Sequence, residues 1–297
     1  MSKALVNRYA VGKLNDKIKK LFLFVPPLFC LFCITAASAQ ELKSETLVAG
    51  EFQWHVVTAS MEAAKDLPTV IFEAGMGEDA ATWDKLQPIV AKSTRAVAYD
   101  RAGLGKSKPA SQSPRTAKQM ALELHVLLQT AKIPPPYILV GHSLGGWIAG
   151  VYAHLYPEEV AGIVLVDPAY RESRLQARIS AEDWARREKT ILQYSGEMTE
   201  TQRLEKNSLE LSGEQAEKYF PLRKIPVFLL SGMKINRSFP GAVLEREVKL
   251  EAHKKWLTKM PGAEHILVEN SRHYIHLEQP AEVICAINHI IKSISKK

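Results

Sequence analysis

Tyr137-Ile138-Leu139-Val140-Gly141-His142-Ser143-Leu144-Gly145-Gly146 is the stretch that decides the fold. A short apolar run leads into Gly-His-Ser-Leu-Gly, and Leu144 to Leu155 continue as a helical pattern, so the segment reads as strand, tight turn and helix with G-x-S-x-G at the turn. A serine forced into such a turn needs small neighbours on both sides, and Gly145, Gly146, Ala149 and Gly150 let the helix lie close on a sheet. The helix N-terminus favours negative charge developing beside the serine. Ser143 is therefore the candidate nucleophile, and the Leu144 backbone N–H is one candidate donor to an oxyanion. His142 sits beside the nucleophile and is read as packing or hydrogen-bonding structurally, with no chemistry of its own.

Outward from this stretch, short β-rich apolar runs alternate with longer helical patterns, the signature of a mostly parallel sheet covered by helices. Strands are expected at Gln53–Ala59, Thr69–Phe72, Ala96–Tyr99, Tyr137–Val140, Ala161–Val166, Val227–Leu230 and His265–Val268. Most lack alternation, as strands buried on both faces do. Helices are expected near residues 81–92, 115–132, 144–155, 245–259 and 279–294. The connection at about 168–224 is too long for a plain loop, and 21 of its 57 residues are charged, which predicts an inserted helical cap with a wet outer face. Capping boxes are expected at Ser180 with Asp183 and at Ser212 with Gln215. Trp184, Tyr194 and Met198 are among its apolar residues and are expected to shape a pocket.

The base should lie late in the chain, on a loop after the last strand. His273 meets this in Asn270-Ser271-Arg272-His273-Tyr274, with His276, nearer the final helix, as runner-up. The acid normally follows the Val227 strand, yet residues 231–244 hold no aspartate or glutamate and Asn236 stands in that place. Asp167 ends the preceding strand, and adjacent strand ends lie about 5 Å apart, so its carboxylate can reach the same histidine. It can equally cap the turn before Pro168; Asp167 is taken as the candidate acid. The second oxyanion donor is placed by register at the Met76 N–H, in Glu73-Ala74-Gly75-Met76-Gly77. Glu73 reads either as a carboxylate paired beneath the site or as a plain structural residue. Asp100-Arg101-Ala102-Gly103-Leu104-Gly105 has too few correctly spaced glycines for a dinucleotide loop and is read as a structural turn.

The chain has 297 residues, enough for one large core, and a formal charge of +7. Residues 1–39 carry six basic side chains against one acid, which leaves +2 for the remainder and argues against a nucleic-acid face. A positive start, the apolar stretch Leu21 to Ala36 and Ala37-Ser38-Ala39 predict a signal peptide cleaved after Ala39, hence export to periplasm or medium without stable membrane association. The rival reading, an uncleaved anchor, is disfavoured by the length of the stretch and by Pro26-Pro27 within it. Cys30 and Cys33 would leave with the leader, and Cys285 is expected to be a small buried hydrophobe.

With these residues in view, the chain resembles the α/β-hydrolase superfamily over roughly residues 45–295, through Gly141-His142-Ser143-Leu144-Gly145-Gly146, Tyr99-Asp100-Arg101-Ala102-Gly103 and His273-Tyr274-Ile275-His276-Leu277-Glu278-Gln279-Pro280. The resemblance implies an α/β fold: a mostly parallel eight-stranded sheet, helices on both faces, a helical cap, and neither cofactor nor metal. Serine at the elbow argues against the relatives that use aspartate there. The expected activity is hydrolysis of a small ester or related acyl compound through an acyl-enzyme. An aminopeptidase or acyltransferase would use the same residues, and a non-catalytic binding protein retaining the fold is the alternative from another class.

Overall fold

The computed structural model describes residues 42–59, 66–109, 114–220 and 224–294; the expected leader, with Cys30 and Cys33, lies outside them. The strands are β1 (Lys43–Ala49), β2 (Phe52–Ala59), β3 (Thr69–Glu73), β4 (Ala96–Tyr99), β5 (Tyr137–His142), β6 (Val160–Val166), β7 (Val227–Gly232) and β8 (Glu264–Val268). They form one sheet in the order β1-β2-β4-β3-β5-β6-β7-β8. β2 pairs antiparallel with β1 and with β4, and all other pairs are parallel. The helices are α1 (Gln87–Val90), α2 (Ala117–Thr130), α3 (Leu144–Leu155), α4 (Glu172–Gln176), α5 (Ala181–Ser195), α6 (Glu200–Asn207), α7 (Leu209–Tyr219), α8 (Ala242–Leu257), α9 (Ile275–Glu278) and α10 (Pro280–Ile294).

Two apolar clusters cover the two faces of the sheet. One joins α2, α3 and Trp256 of α8 to Ile71, Leu139, Ile163 and Leu165. The other joins α1 and α10 to Phe72, Val140, Val164 and Leu230. Both faces of the central strands are thus buried, which is why β3, β4 and β5 carry no polar alternation.

The strand order locates the crevice. After β3 the chain moves toward β4, whereas after β5 it moves toward β6 on the other side, so the loops leaving β3 and β5 part above the sheet. Register then sets the heights: Glu73 lies opposite Gly141, His142 opposite Val166, and Val166 opposite Leu230. Ser143 and Asp167 are each the next residue along adjacent strands, so both emerge at the floor of the crevice.

Four expectations from the sequence are corrected. β1 is not among the expected strands: it is an edge strand, mostly exposed, whose Lys-Ser-Glu-Thr run lacks the apolar content of the buried strands. Residues 81–92 do not form one helix, because the chain makes a 3-10 turn over Ala80–Trp83 and restarts as α1 with Pro88 in its first turn. Proline has no N–H for a preceding turn and so begins a helix rather than continuing one. Cys285 is exposed, because α10 turns Val283, Ala286, Ile287 and Ile290 inward and leaves Cys285 on the outer face.

Ser212 is the fourth. It does not begin a helix but lies buried within α7, where its Oγ accepts the Ala117 N–H at 2.9 Å while Gln215 Oε1 accepts the Lys118 N–H at 2.9 Å. The two residues cap the start of α2, a neighbour's helix rather than their own. Ser180 caps α5 by accepting the Asp183 N–H, but only this half of the expected capping box forms, because the Asp183 carboxylate pairs with Arg186; Thr199 with Gln202 forms a full capping box on α6.

Candidate active site

The turn at Ser143 demands its glycines. Ser143 takes φ 50°, a conformation that costs a non-glycine residue about 1–3 kcal/mol unless the surroundings hold it. They do: its N–H donates to the Val166 carbonyl at 3.1 Å, and its own carbonyl accepts the N–H groups of Gly146 and Ala169, both at 3.0 Å. A Cβ at Gly141 would stand 2.3 Å from the Gly145 carbonyl oxygen, and one at Gly145 would stand 2.3 Å from that of Glu73. The Ser143 side chain caps nothing on α3 and lines a cavity of about 800 Å³.

Asp167, Met76 and His273 line the same cavity, so the structure brings the candidate nucleophile, acid, base and one oxyanion donor together. His273 Nδ1 lies 2.8 Å from Asp167 Oδ2, with His273 44% exposed and Asp167 fully buried. Asp167 has φ 40°, and its carboxylate is held from three sides. The Gly232 N–H donates to Oδ1 at 2.8 Å, the Lys249 ammonium donates to both oxygens at 2.9 and 3.0 Å, and His273 takes the remaining lone pair. Burial would raise this carboxyl, but the Lys249 charge and the His273 hydrogen bond outweigh it and hold it well below the usual carboxylate range. Among the described residues no backbone hydrogen bond runs from the Met76 or Leu144 N–H.

The other candidates fall elsewhere. His276 is buried, packs tilted against Trp83 with ring centroids 4.6 Å apart and meets Thr82 Oγ1 at 2.9 Å. Burial, reinforced by the neighbouring His142, pushes its imidazole down to about 3. Asn236 lines the cavity but spends its side-chain oxygen on the Ser238 N–H, inside a turn. His142 is buried, with Nδ1 3.1 Å from Glu78 and Nε2 3.2 Å from the His273 carbonyl oxygen, and so ties the floor of the site to the base's loop. Burial works against ionised Glu78, yet His142 and the Gly75 N–H bring its carboxyl down to about 2. Glu78, His142 and His276 place their ligand-type atoms within 4.8 Å of one another, the one such group among the described residues. Glu78 and His142 are already engaged with each other and with backbone. Trp184 lines the cavity, Met198 does not, and the Tyr194 side chain is outside the described residues.

Below the Met76 loop lies a buried ion network. The Arg101 guanidinium reaches Glu73 Oε1 at 2.8 Å, Glu205 at 2.8 and 3.0 Å, and the carbonyl oxygens of Ala74 and Gly75 at 2.8 and 2.6 Å. Glu205, fully buried on α6, also accepts the Gly77 N–H at 2.8 Å, and Tyr99 donates its hydroxyl to Glu73. Burial pushes the Glu73 carboxyl up despite Arg101. Glu73 is thus the paired carboxylate beneath the site. The Arg101 side chain, which the sequence places in a turn, is its centre; the turn itself is held by the Asp100 carboxylate, which accepts the Ala80 and Lys106 N–H groups, both at 2.8 Å, and by the Arg101 carbonyl, which accepts the Leu104 N–H at 2.9 Å. Arg101, Glu205 and Lys249 escape sequence reasoning because each acts across more than 80 residues of chain. No local spacing signals such pairs.

A second histidine group braces the acid from behind. Ser231 Oγ lies 2.7 Å from His253 Nδ1 and 2.8 Å from His265 Nε2, and His253 Nε2 meets the Pro168 carbonyl oxygen at 2.9 Å. Burial pushes the His253 imidazole down to about 4. A histidine depressed in the fold takes up its proton on unfolding, so its contribution is complete above about 6.5 and is lost as pH falls toward 4. Urea midpoints are therefore expected to drop across that window, with His253 accounting for about 3 kcal/mol. Replacement of His253 by Gln should flatten the dependence; an unchanged slope would count against it.

The family model described as alpha/beta hydrolase fold matches residues 68–204. The uncharacterized protein YqjL of Bacillus subtilis (strain 168) is 32% identical over 219 residues, which cover 74% of this chain and 81% of that one. The chain belongs to the α/β-hydrolase superfamily. A second relative, an AB hydrolase superfamily protein of Gibberella zeae, is 32% identical over 117 residues, 38% of this chain and 36% of its own length. This chain therefore spans about a third of that relative. Among solved α/β-hydrolase structures, the enol-lactonase of Burkholderia xenovorans LB400 superposes with TM-score 0.63 at 17% identity, covering 84% of this chain and all of that one. Membership supports reading this chain as a hydrolase. No helix among the described residues is long and apolar enough to cross a membrane.

Proposed function

We propose that this α/β-hydrolase is a serine hydrolase that cleaves a small carboxylic ester or related acyl compound through an acyl-enzyme intermediate. The observation that carries the reading is the 2.8 Å contact between buried Asp167 and His273 Nδ1, on the wall of the cavity that also holds Ser143. A carboxylate on Nδ1 keeps the proton on that nitrogen and leaves the Nε2 lone pair for the Ser143 hydroxyl. His273 takes the hydroxyl proton as Ser143 Oγ attacks the acyl carbon, and the oxygen that gains charge is met by the Met76 and Leu144 N–H groups. Each such donor is worth about 3 kcal/mol in the transition state. When the tetrahedral species collapses, His273 gives its proton to the departing alcohol. Water then repeats the sequence on the acyl-enzyme and frees the acid.

In this reading helices α4 to α7 act as a cap over the pocket, and residues 1–39 direct export and are removed after Ala39. N-terminal sequencing of the exported protein, expected to begin at Gln40, checks the leader. Labelling with a fluorophosphonate tests the chemistry: the wild-type protein should be modified, Ser143→Ala should not, and a panel of short-chain p-nitrophenyl esters, amides and lactones would then place the acyl class. Folded wild-type protein that resists the reagent would sink the hydrolase reading and favour a binding protein of the same fold.

A further inference from the structure

Lys249 is a residue the triad logic does not call for. It comes from α8, where its spacing from Glu245 resembles an ordinary exposed helix pair, yet its ammonium lies at the floor of the site. Nζ has three acceptors: Asp167 Oδ1 at 2.9 Å, Asp167 Oδ2 at 3.0 Å and the Gly232 carbonyl oxygen at 3.0 Å. An ammonium carries three donors, so none is left over for a substrate. Its side chain is 12% exposed, and the carboxylate it faces is fully buried. The contact is therefore little screened by solvent and far from a surface pair.

We propose that Lys249 is a positioning residue that sets the proton affinity of His273, and so the pH at which the site becomes competent, by sharing the Asp167 carboxylate with it. The proposal rests on the serine-hydrolase reading above for its meaning, though not for its test. Charge counting gives the direction. With His273 neutral, Lys249 and Asp167 cancel and the buried group has no net charge, so adding a proton to His273 leaves one uncompensated positive charge. Without the ammonium the group begins at one negative charge, and protonating His273 neutralises it. The ammonium at the shared carboxylate therefore opposes a positive charge on His273, and its removal favours one. The same contact to Gly232 fixes the end of β7 against the carboxylate.

Of the other charged groups that line the cavity, Arg246 of α8 reaches the Met233 carbonyl at 3.4 Å, Arg187 pairs with Glu245, and Lys234 follows β7; among the described residues none of these cations hydrogen-bonds the Asp167 carboxylate. On the floor, His142 packs tilted against His273 with 4.6 Å between ring centroids and is itself paired with Glu78. His276 of α9 packs against His142, and Tyr274 packs edge-on against His273. Arg272, next along the chain, is taken by Glu278. His253 of α8 faces Asp167 from behind and is held neutral by burial. Lys249 and His273 meet the same oxygen, at 3.0 and 2.8 Å, and like charges that close move a titration by about one unit or more.

The test is a carbon-13 histidine NMR titration of wild-type protein, Lys249→Met, Lys249→Gln and Lys249→Arg, with the His273 signal assigned by its loss in His273→Asn. In both neutral variants the His273 midpoint should rise by about one pH unit or more, and the acid limb of kcat/KM should move with it. Lys249→Arg should stay within a few tenths of a unit of wild type. The glutamine keeps an N–H donor for Asp167, so it guards against a methionine variant that folds poorly. A midpoint unmoved or lowered in the neutral variants, or an arginine variant that moves as far as they do, would overturn the proposal. The titration needs no turnover, so a protein lacking Ser143-dependent hydrolysis would defeat the function proposed above while its His273 midpoints still tested the role of Lys249.

Discussion

Asp167→Asn is expected to lower kcat by about 10⁴-fold while KM stays within about threefold, measured on protein shown to be folded by circular dichroism. The size follows from who else touches that side chain. An asparagine at 167 has one acceptor and one donor end, and the Lys249 ammonium, with the Gly232 N–H beside it, will claim the oxygen. The amide NH₂ then faces His273 Nδ1, which must present a lone pair, so the proton moves to Nε2. A base whose working nitrogen is already protonated cannot accept from Ser143. The variant is also expected to be less stable, because a buried ammonium loses its carboxylate. Turnover within about tenfold of wild type in folded protein would remove Asp167 from the mechanism and leave it a turn residue before Pro168.

Arg101→Met should cost about 3–5 kcal/mol of stability, read from urea denaturation at neutral pH, and should depress kcat through the loop it holds. The guanidinium is the shared partner of two buried carboxylates, Glu73 and Glu205, whose side chains are 2% and 0% exposed. Methionine fills a similar volume but leaves both without a counter-charge, and it frees the Ala74 and Gly75 carbonyls that Arg101 now binds. Lysine is not a remedy, since one ammonium cannot span the acceptors that the planar fork reaches. The companion variant Glu205→Gln keeps a hydrogen-bonding side chain at α6 and should lose less. A methionine variant within about 1 kcal/mol of wild type would show that the network adds little to stability.

Much of this molecule can be read from local sequence, and the rest resists for identifiable reasons. The parallel strands announce themselves because burial on both faces leaves unbroken apolar runs at Val70-Ile71-Phe72, Ala96-Val97-Ala98 and Ile138-Leu139-Val140. The Ser143 turn is legible because its steric demand falls on immediate neighbours, Gly141 and Gly145. Edge strand β1 is not legible, since half of its backbone faces solvent and nothing selects apolar side chains there. The exposure of Cys285 is hidden because an apolar run does not say which member of a helix faces out. The candidate acid can be approached only by elimination, from the missing carboxylate after β7. What surrounds it cannot be approached at all: Lys249 joins Asp167 across 82 positions and Arg101 joins Glu205 across 104, so these contacts exist only once the sheet is assembled.

The bond between α6 and the loop after β3 bears on how this scaffold can be re-engineered. Swapping the whole segment between β6 and β7 for that of another hydrolase is an obvious route to new substrates, and here it would remove Glu205 from both Arg101 and the Gly77 N–H. A graft that brings no carboxylate to that spot would strand a guanidinium inside the protein and unpin the donor loop. The transplantable part is thus the helical segment together with the arginine that receives it, and libraries built on this chain should keep position 205 acidic or replace Arg101 in the same step.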